Sequence, residues 1–184
     1  MSLVELIAQA DERGLAASGL ACLDRCVPLL GGDDEILRPL WASLTDDAGA
    51  GAWGDGLEQA RGKLDAAADG DEAVALAHRM LEAAPAQRSA AEVRVWADAC
   101  SVASLQIHRL LDTAPDEASS VDTRRQGGTE GMSPLVAAEL RRQVVVLEVL
   151  AGHGPAGLRR ALEVSTEGRR VLRAVVSRRI RQRG

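Results

Sequence analysis

Residues 89–113, SAAEVRVWADACSVASLQIHRLLDT, run without a Gly or Pro. Val93, Trp96, Cys100, Ala103, Ile107 and Leu110/Leu111 recur at steps of three and four, the period of one helix face and not the alternation of a strand. Ser89 is a good N-cap, and Pro115 closes the segment. The spacing predicts a long amphipathic helix, and the rest of the chain reads in the same way.

Upstream, Leu15, Gly19, Cys22, Cys26 and Leu29 form a second seam, ended by Pro28 and Gly31-Gly32. Further helices are expected over 3–12, 33–44, 57–68 and 72–84, the first capped by Ser2 and the last opened by Asp71. Downstream, Ser133-Pro134 opens a helix to about 151, a short helix follows over 156–164, and Ser165 caps a final helix to about 181. Residues 45–56 are a Gly-rich loop carrying Trp53. Residues 115–133 hold turn formers and charges with one Val and one Met, and read as a flexible linker or a long loop.

Composition agrees with this pattern. Of 184 residues, 32 are Ala, 24 Leu and 16 Val, while Phe and Tyr are absent and Trp occurs three times. Ala and Leu favour helices, and the residues that strands prefer are scarce. The expected fold is all-α, an antiparallel bundle of about eight helices, with an irregular HEAT-like solenoid as the alternative. The expected organisation is an acidic body over 1–114, the linker or loop over 115–133, and C-terminal helices over 134–184 packed on that body as one domain.

Net charge is −5, but its distribution is uneven. Residues 1–92 carry 17 acids against 7 bases, and residues 134–184 carry 4 acids against 11 bases. Three cysteines, an odd number, do not make a disulfide framework and suit a reducing cytoplasm. The longest apolar run, Val144–Leu147, ends at Glu148, far short of the ~20 residues of a membrane span.

Few motifs point to chemistry. Gly49-Ala-Gly51-Ala-Trp-Gly54 matches a dinucleotide fingerprint in letters, but no strand precedes it and Asp46-Asp47 would repel an anion. Cys22, Cys26, Cys100, His78 and His108 do not fall in metal-ligand spacing, and thiols on helix seams behave as small hydrophobes. No hydrolase elbow, zinc-protease motif or P-loop is present, so no catalytic residue, metal or cofactor is expected. Ala161-Leu-Glu-Val-Ser165 resembles the turn of a helix-turn-helix, with Glu163 at the turn glycine and Arg159 and Arg169 at core positions; no family follows from it.

The C-terminal helix carries the sharpest charge pattern. At about 100° per residue, Val171, Leu172, Val175 and Val176 fall on one side, and Arg169, Arg170, Arg173 and Arg181 on the other. Arg179 and Arg183 fall within the apolar arc, so the last turn is expected to project. With Arg178, these seven arginines are candidates for contact with a phosphate or a partner, or they pair with the chain's own acidic half. Trp53 is a candidate partner handle unless it packs back on the body.

The sequence therefore reads first as a non-enzymatic helical interaction protein, an adaptor or regulatory subunit. Its partner would be an unidentified protein or a second copy in a homodimer. The alternative is a binder of nucleic acid or another anionic surface through the C-terminal arginines. An enzyme without a local motif comes third.

Overall fold

The computed structural model describes residues 1–64 and 71–183. Among them the fold is all-α, with nine α-helices and no strand: α1 (Leu3–Gln9), α2 (Glu12–Arg25), α3 (Arg38–Ala42), α4 (Ala52–Gly62), α5 (Glu72–Glu82), α6 (Ala90–Leu111), α7 (Val121–Arg125), α8 (Pro134–His153) and α9 (Leu158–Arg183). Two short 3-10 turns, Val27–Leu29 and Gly154–Gly157, follow α2 and α8.

Helix α2 is the axis of the molecule. Every residue from Gly14 to Cys26 is buried, and α6, α8 and α9 all pack around it. A solenoid repeat touches mainly its sequence neighbours, whereas α2 meets helices from the far end of the chain; the arrangement is a bundle. Gly19 allows the closest approach: a Cβ there would lie 2.5 Å from the Trp96 ring on α6. Gly168 does the same for α9, where a Cβ would lie 2.5 Å from the Arg25 Cδ.

The caps follow local sequence. Ser2 and Glu5 form a reciprocal capping box on α1, and the side chains of Asp11, Asp71 and Ser89 accept from Gly14, Val74 and Glu92 backbone N–H groups. At α8 the expected Ser133 cap makes no side-chain bond; Asp112 Oδ2, from the end of α6, accepts from Leu135 N at 2.8 Å instead.

Several boundaries differ from the sequence reading. Residues 34–37 are turns, because Asp33 Oδ1 accepts from Glu35 N at 2.9 Å, and Pro39 then sits in the first turn of α3 without kinking it. The Gly-rich loop ends at Gly51, whose φ of 86° starts α4. Trp53 is therefore helical. The last four residues of the helix expected over 57–68 lie outside the described residues.

Residues 115–133 contain α7 and bury Val121, Arg124, Arg125 and Ser133. Arg124 donates to both oxygens of Asp116, at 3.2 and 3.0 Å, and Asp116 Oδ1 also accepts from Ser133 N. The long connection is thus pinned at both ends. Finally, the two helices expected over 156–181 are one continuous α9. Ser165 Oγ donates back to Ala161 O at 2.8 Å, so the helix-turn-helix resemblance has no counterpart in the backbone.

Candidate functional site

Three places in the molecule bring chemically capable groups together: the arginine face of α9, a buried polar cluster beneath it, and a groove between α5 and α6.

On α9, the acidic half of the chain meets the basic half directly. Arg169 is nearly buried and pairs with Asp24 at 2.5 Å, while Asp34 lies at 3.7 Å from its Nε and also pairs with Arg173. Arg179 and Arg183 reach Asp71 at 3.4 and 3.6 Å, which ties the last turns of α9 to the start of α5. Arg170, Arg178 and Arg181 are exposed and make no ion pair among the described residues. Four of the seven arginines are therefore engaged internally. Asp24 is also held by the Trp41 indole N–H at 3.1 Å; burial still pushes its carboxyl above the ordinary range, despite Arg169.

Beneath that face lies a cluster contributed by α2, α6 and α8. Arg25 donates Nε and Nη2 to the two carboxylate oxygens of Glu139, each at 2.7 Å. Glu139 Oε1 also accepts from Ser104 Oγ at 2.7 Å and from Gln143 Nε2 at 3.0 Å. His108 Nδ1 donates to Ser104 O at 2.7 Å, and its Nε2 lies 3.6 Å from Glu139 Oε2. Burial would raise the Glu139 carboxyl, but the Arg25 charge and its hydrogen bonds hold it at about 2; burial lowers His108.

Serine, histidine and glutamate side by side invite a catalytic reading. The geometry argues otherwise: Ser104 Oγ is bonded to the carboxylate and not to the imidazole, and none of the three is more than 2% exposed. The cluster pairs most of its polar groups inside the bundle, with the buried Arg25 Nη1 left without a partner among the described residues. Cys22, Cys26 and Cys100 are buried free thiols, with Cys22 pushed up to about 12 by burial. No group of metal-ligating side chains occurs among the described residues.

The third place is apolar. Helices α5 and α6 leave a groove of about 490 Å³ lined by Leu76, Met80, Ala99, Val102 and Ala103, with Trp96 and Cys100 at its floor and Arg79 and Gln106 at its rim. A second depression of about 460 Å³ continues it past Ala83, Pro85, Ala91 and Glu92. In the wall of this second depression stands Val95, 72% exposed. Ala91 and Ala99 are also exposed, one helical turn before and after Val95, so α6 carries a second apolar stripe outside its core seam.

Sequence reasoning missed this surface. Of the expected seam, Val93, Trp96, Cys100, Ile107 and Leu111 are buried, while Ala103 is half-buried in the groove and Leu110 is 38% exposed. The available signal was that Ala91, Val95, Ala99 and Val102 make α6 apolar over a wider arc than one seam requires.

Trp53 is corrected as a surface handle. Its indole is 5% exposed, donates to Pro85 O at 2.7 Å, and meets Trp96 edge to face with centroids 5.7 Å apart. Starting α4 at Ala52 turns the ring inward.

No family model, no curated protein and no solved structure matches this chain.

Proposed function

We propose that the chain is a helical adaptor or regulatory protein that acts by docking a protein on the α5/α6 groove, not by catalysis. The observation that carries this reading is the apolar groove with Val95 standing beside it at 72% exposure. An isolated exposed aliphatic residue is ordinary, but a concave apolar strip with a convex apolar neighbour matches the core of a protein interface.

Two further observations support it over the phosphate-binding alternative. Four of the seven C-terminal arginines are paired with Asp24, Asp34 and Asp71, so less cationic surface is left for a polyanion than the sequence suggests. All three Trp side chains are at most 7% exposed, which leaves no stacking platform among them for bases. Three free thiols, all buried, support a cytoplasmic location. No helix among the described residues is long and apolar enough to cross a membrane.

The test is site-specific photo-crosslinking in cells, with the photoreactive residue at Val95 and, as control, at exposed Glu130. A protein adduct at Val95 that is missing at Glu130 is the expected result. No adduct at either position overturns the reading.

A further inference from the structure

We infer that the occupant of the α5/α6 groove is a second copy of this chain, related by a two-fold axis that sets each Val95 into the partner's apolar strip. The inference rests on the docking role proposed for the groove and names who docks there.

The first argument is shape. A two-fold interface joins a patch to itself, so the patch must carry both a projection and the depression that receives it. Here both lie on one face: the groove of about 490 Å³, the adjoining depression of about 460 Å³, and Val95 in the wall of the second. Ala83, Trp96 and Ala99 line both depressions, so the two are one continuous surface. Ala91, Ala99 and Ala103 leave room for a facing helix to approach closely.

The second argument is charge. Among the described residues, two ionised side chains line these depressions, Arg79 in the first and Glu92 in the second. Neither makes an ion pair with a described residue. A uniformly acidic partner would leave Glu92 repelled, and a uniformly basic one would repel Arg79. A second copy turned end for end brings Arg79 of each chain toward Glu92 of the other, so the pattern is complementary to itself. These two pairs would lie at the rim, where they set orientation more than affinity, and the apolar strip would supply the binding.

Sedimentation equilibrium tests this on the full chain from about 1 to 500 μM at low salt, a range that covers micromolar dissociation constants. The wild type is expected to dimerise, and Val95→Glu to weaken dimerisation by roughly 50-fold or more, as loss of a central apolar anchor does. Val95 is exposed, so circular dichroism should show that variant folded. Arg79→Glu and Glu92→Arg should each weaken the dimer about tenfold, and the double reversal should return to within about threefold of the wild type.

A wild type that stays monomeric across the range overturns the inference, as does a dimer indifferent to Val95→Glu. A double reversal as weak as the single changes overturns the end-for-end arrangement. A monomer whose Val95 photo-adduct is a different protein also overturns it, while leaving the docking role of the groove intact. A monomer that binds the apolar dye anilinonaphthalene sulfonate, with no protein adduct, overturns both.

Discussion

Arg25 and Glu139 are 114 residues apart in the chain, yet they form a two-bond guanidinium–carboxylate pair with both side chains wholly buried. The pair links α2 to α8 under the crossing of α9. Two charges taken from water repay their desolvation only when their polar atoms are satisfied; Glu139 Oε1 gains donors from Ser104 and Gln143, but the buried Arg25 Nη1 finds no hydrogen-bond partner among the described residues.

Removing one partner should therefore cost more than the pair contributes. Arg25→Met leaves a buried carboxylate without its cation, and a loss of ~3–5 kcal/mol is expected in urea unfolding. The double change Arg25→Met/Glu139→Leu should be less damaging than either single change, because no buried charge remains. If the double variant loses at least as much as either single change, the pair is stabilising in its own right; if it loses the sum of the two, Arg25 and Glu139 are not coupled at all.

The same cluster gives stability a sign with pH. Glu139 is held at about 2, below its ordinary range, so its contribution is complete above the unfolded value and is lost as pH falls toward 2. His108 is lowered by burial: it stays neutral in the fold but takes a proton on unfolding. Stability should thus fall as pH drops below the ordinary histidine value of about 6.5. His108→Asn should flatten the melting-temperature profile just below about pH 6.5 while leaving the steeper fall at lower pH that Glu139 causes. A profile unchanged by His108→Asn would remove His108 from this account.

Close approach of α2 to α6 rests on a missing side chain. The Trp96 ring lies where a Gly19 Cβ would be, and its own N–H is fixed to Met80 O at 2.9 Å, so the ring has little freedom to retreat. Gly19→Ala raises helix propensity by up to ~1 kcal/mol, but overpacking against a fixed indole costs ~1–3 kcal/mol. Net destabilisation of up to ~2 kcal/mol is expected. A Gly19→Ala variant more stable than wild type would mean that the two helices separate easily.

How much of this was legible beforehand divides along sequence distance. Ser2, Asp71 and Ser89 announce helix starts because a cap bonds within three residues, and the α6 seam is visible because burial repeats along one helix. Long-range partners carry no such local mark. Arg25 looks like any helical arginine until α8 brings Glu139 to it, and Asp112 caps α8 from across a loop that reads as structureless. Trp53 reads as a loop residue because glycines at 51, 54 and 56 suggest a loop, whereas packing on Trp96 keeps the helix going through two of them. Of the arginine face, the sequence showed the cations and the acidic surplus, but not which carboxylate meets which guanidinium.

The thiols should report folding, not reactivity. Cys22 is pushed up to about 12 by burial, and Cys26 and Cys100 are raised for the same reason. Ellman's reagent should therefore modify none of the three in the native state at neutral pH and all three in urea. Fast labelling of any one would place it on a segment that opens locally at little cost.

The seven C-terminal arginines should separate into two classes. Arg169 is largely buried against Asp24, which is itself 1% exposed and among the described residues otherwise accepts only from the Trp41 N–H. Arg169→Leu leaves that carboxylate stranded, and a loss of ~2–4 kcal/mol is expected, insensitive to added salt because the pair is shielded from solvent. Among the described residues, Arg179 and Arg183 meet one carboxylate, Asp71, from partly exposed positions at 3.4 and 3.6 Å. Replacing both by Ala should cost at most ~1 kcal/mol, and that loss should vanish in about 1 M salt. Arg178→Ala, which removes no ion pair among the described residues, should change stability by less than ~0.5 kcal/mol. Urea unfolding of the three variants at low and high salt decides the matter. Equal losses would mean that the stripe acts through its summed charge, and Asp24 would then hold no privileged place in anchoring α9.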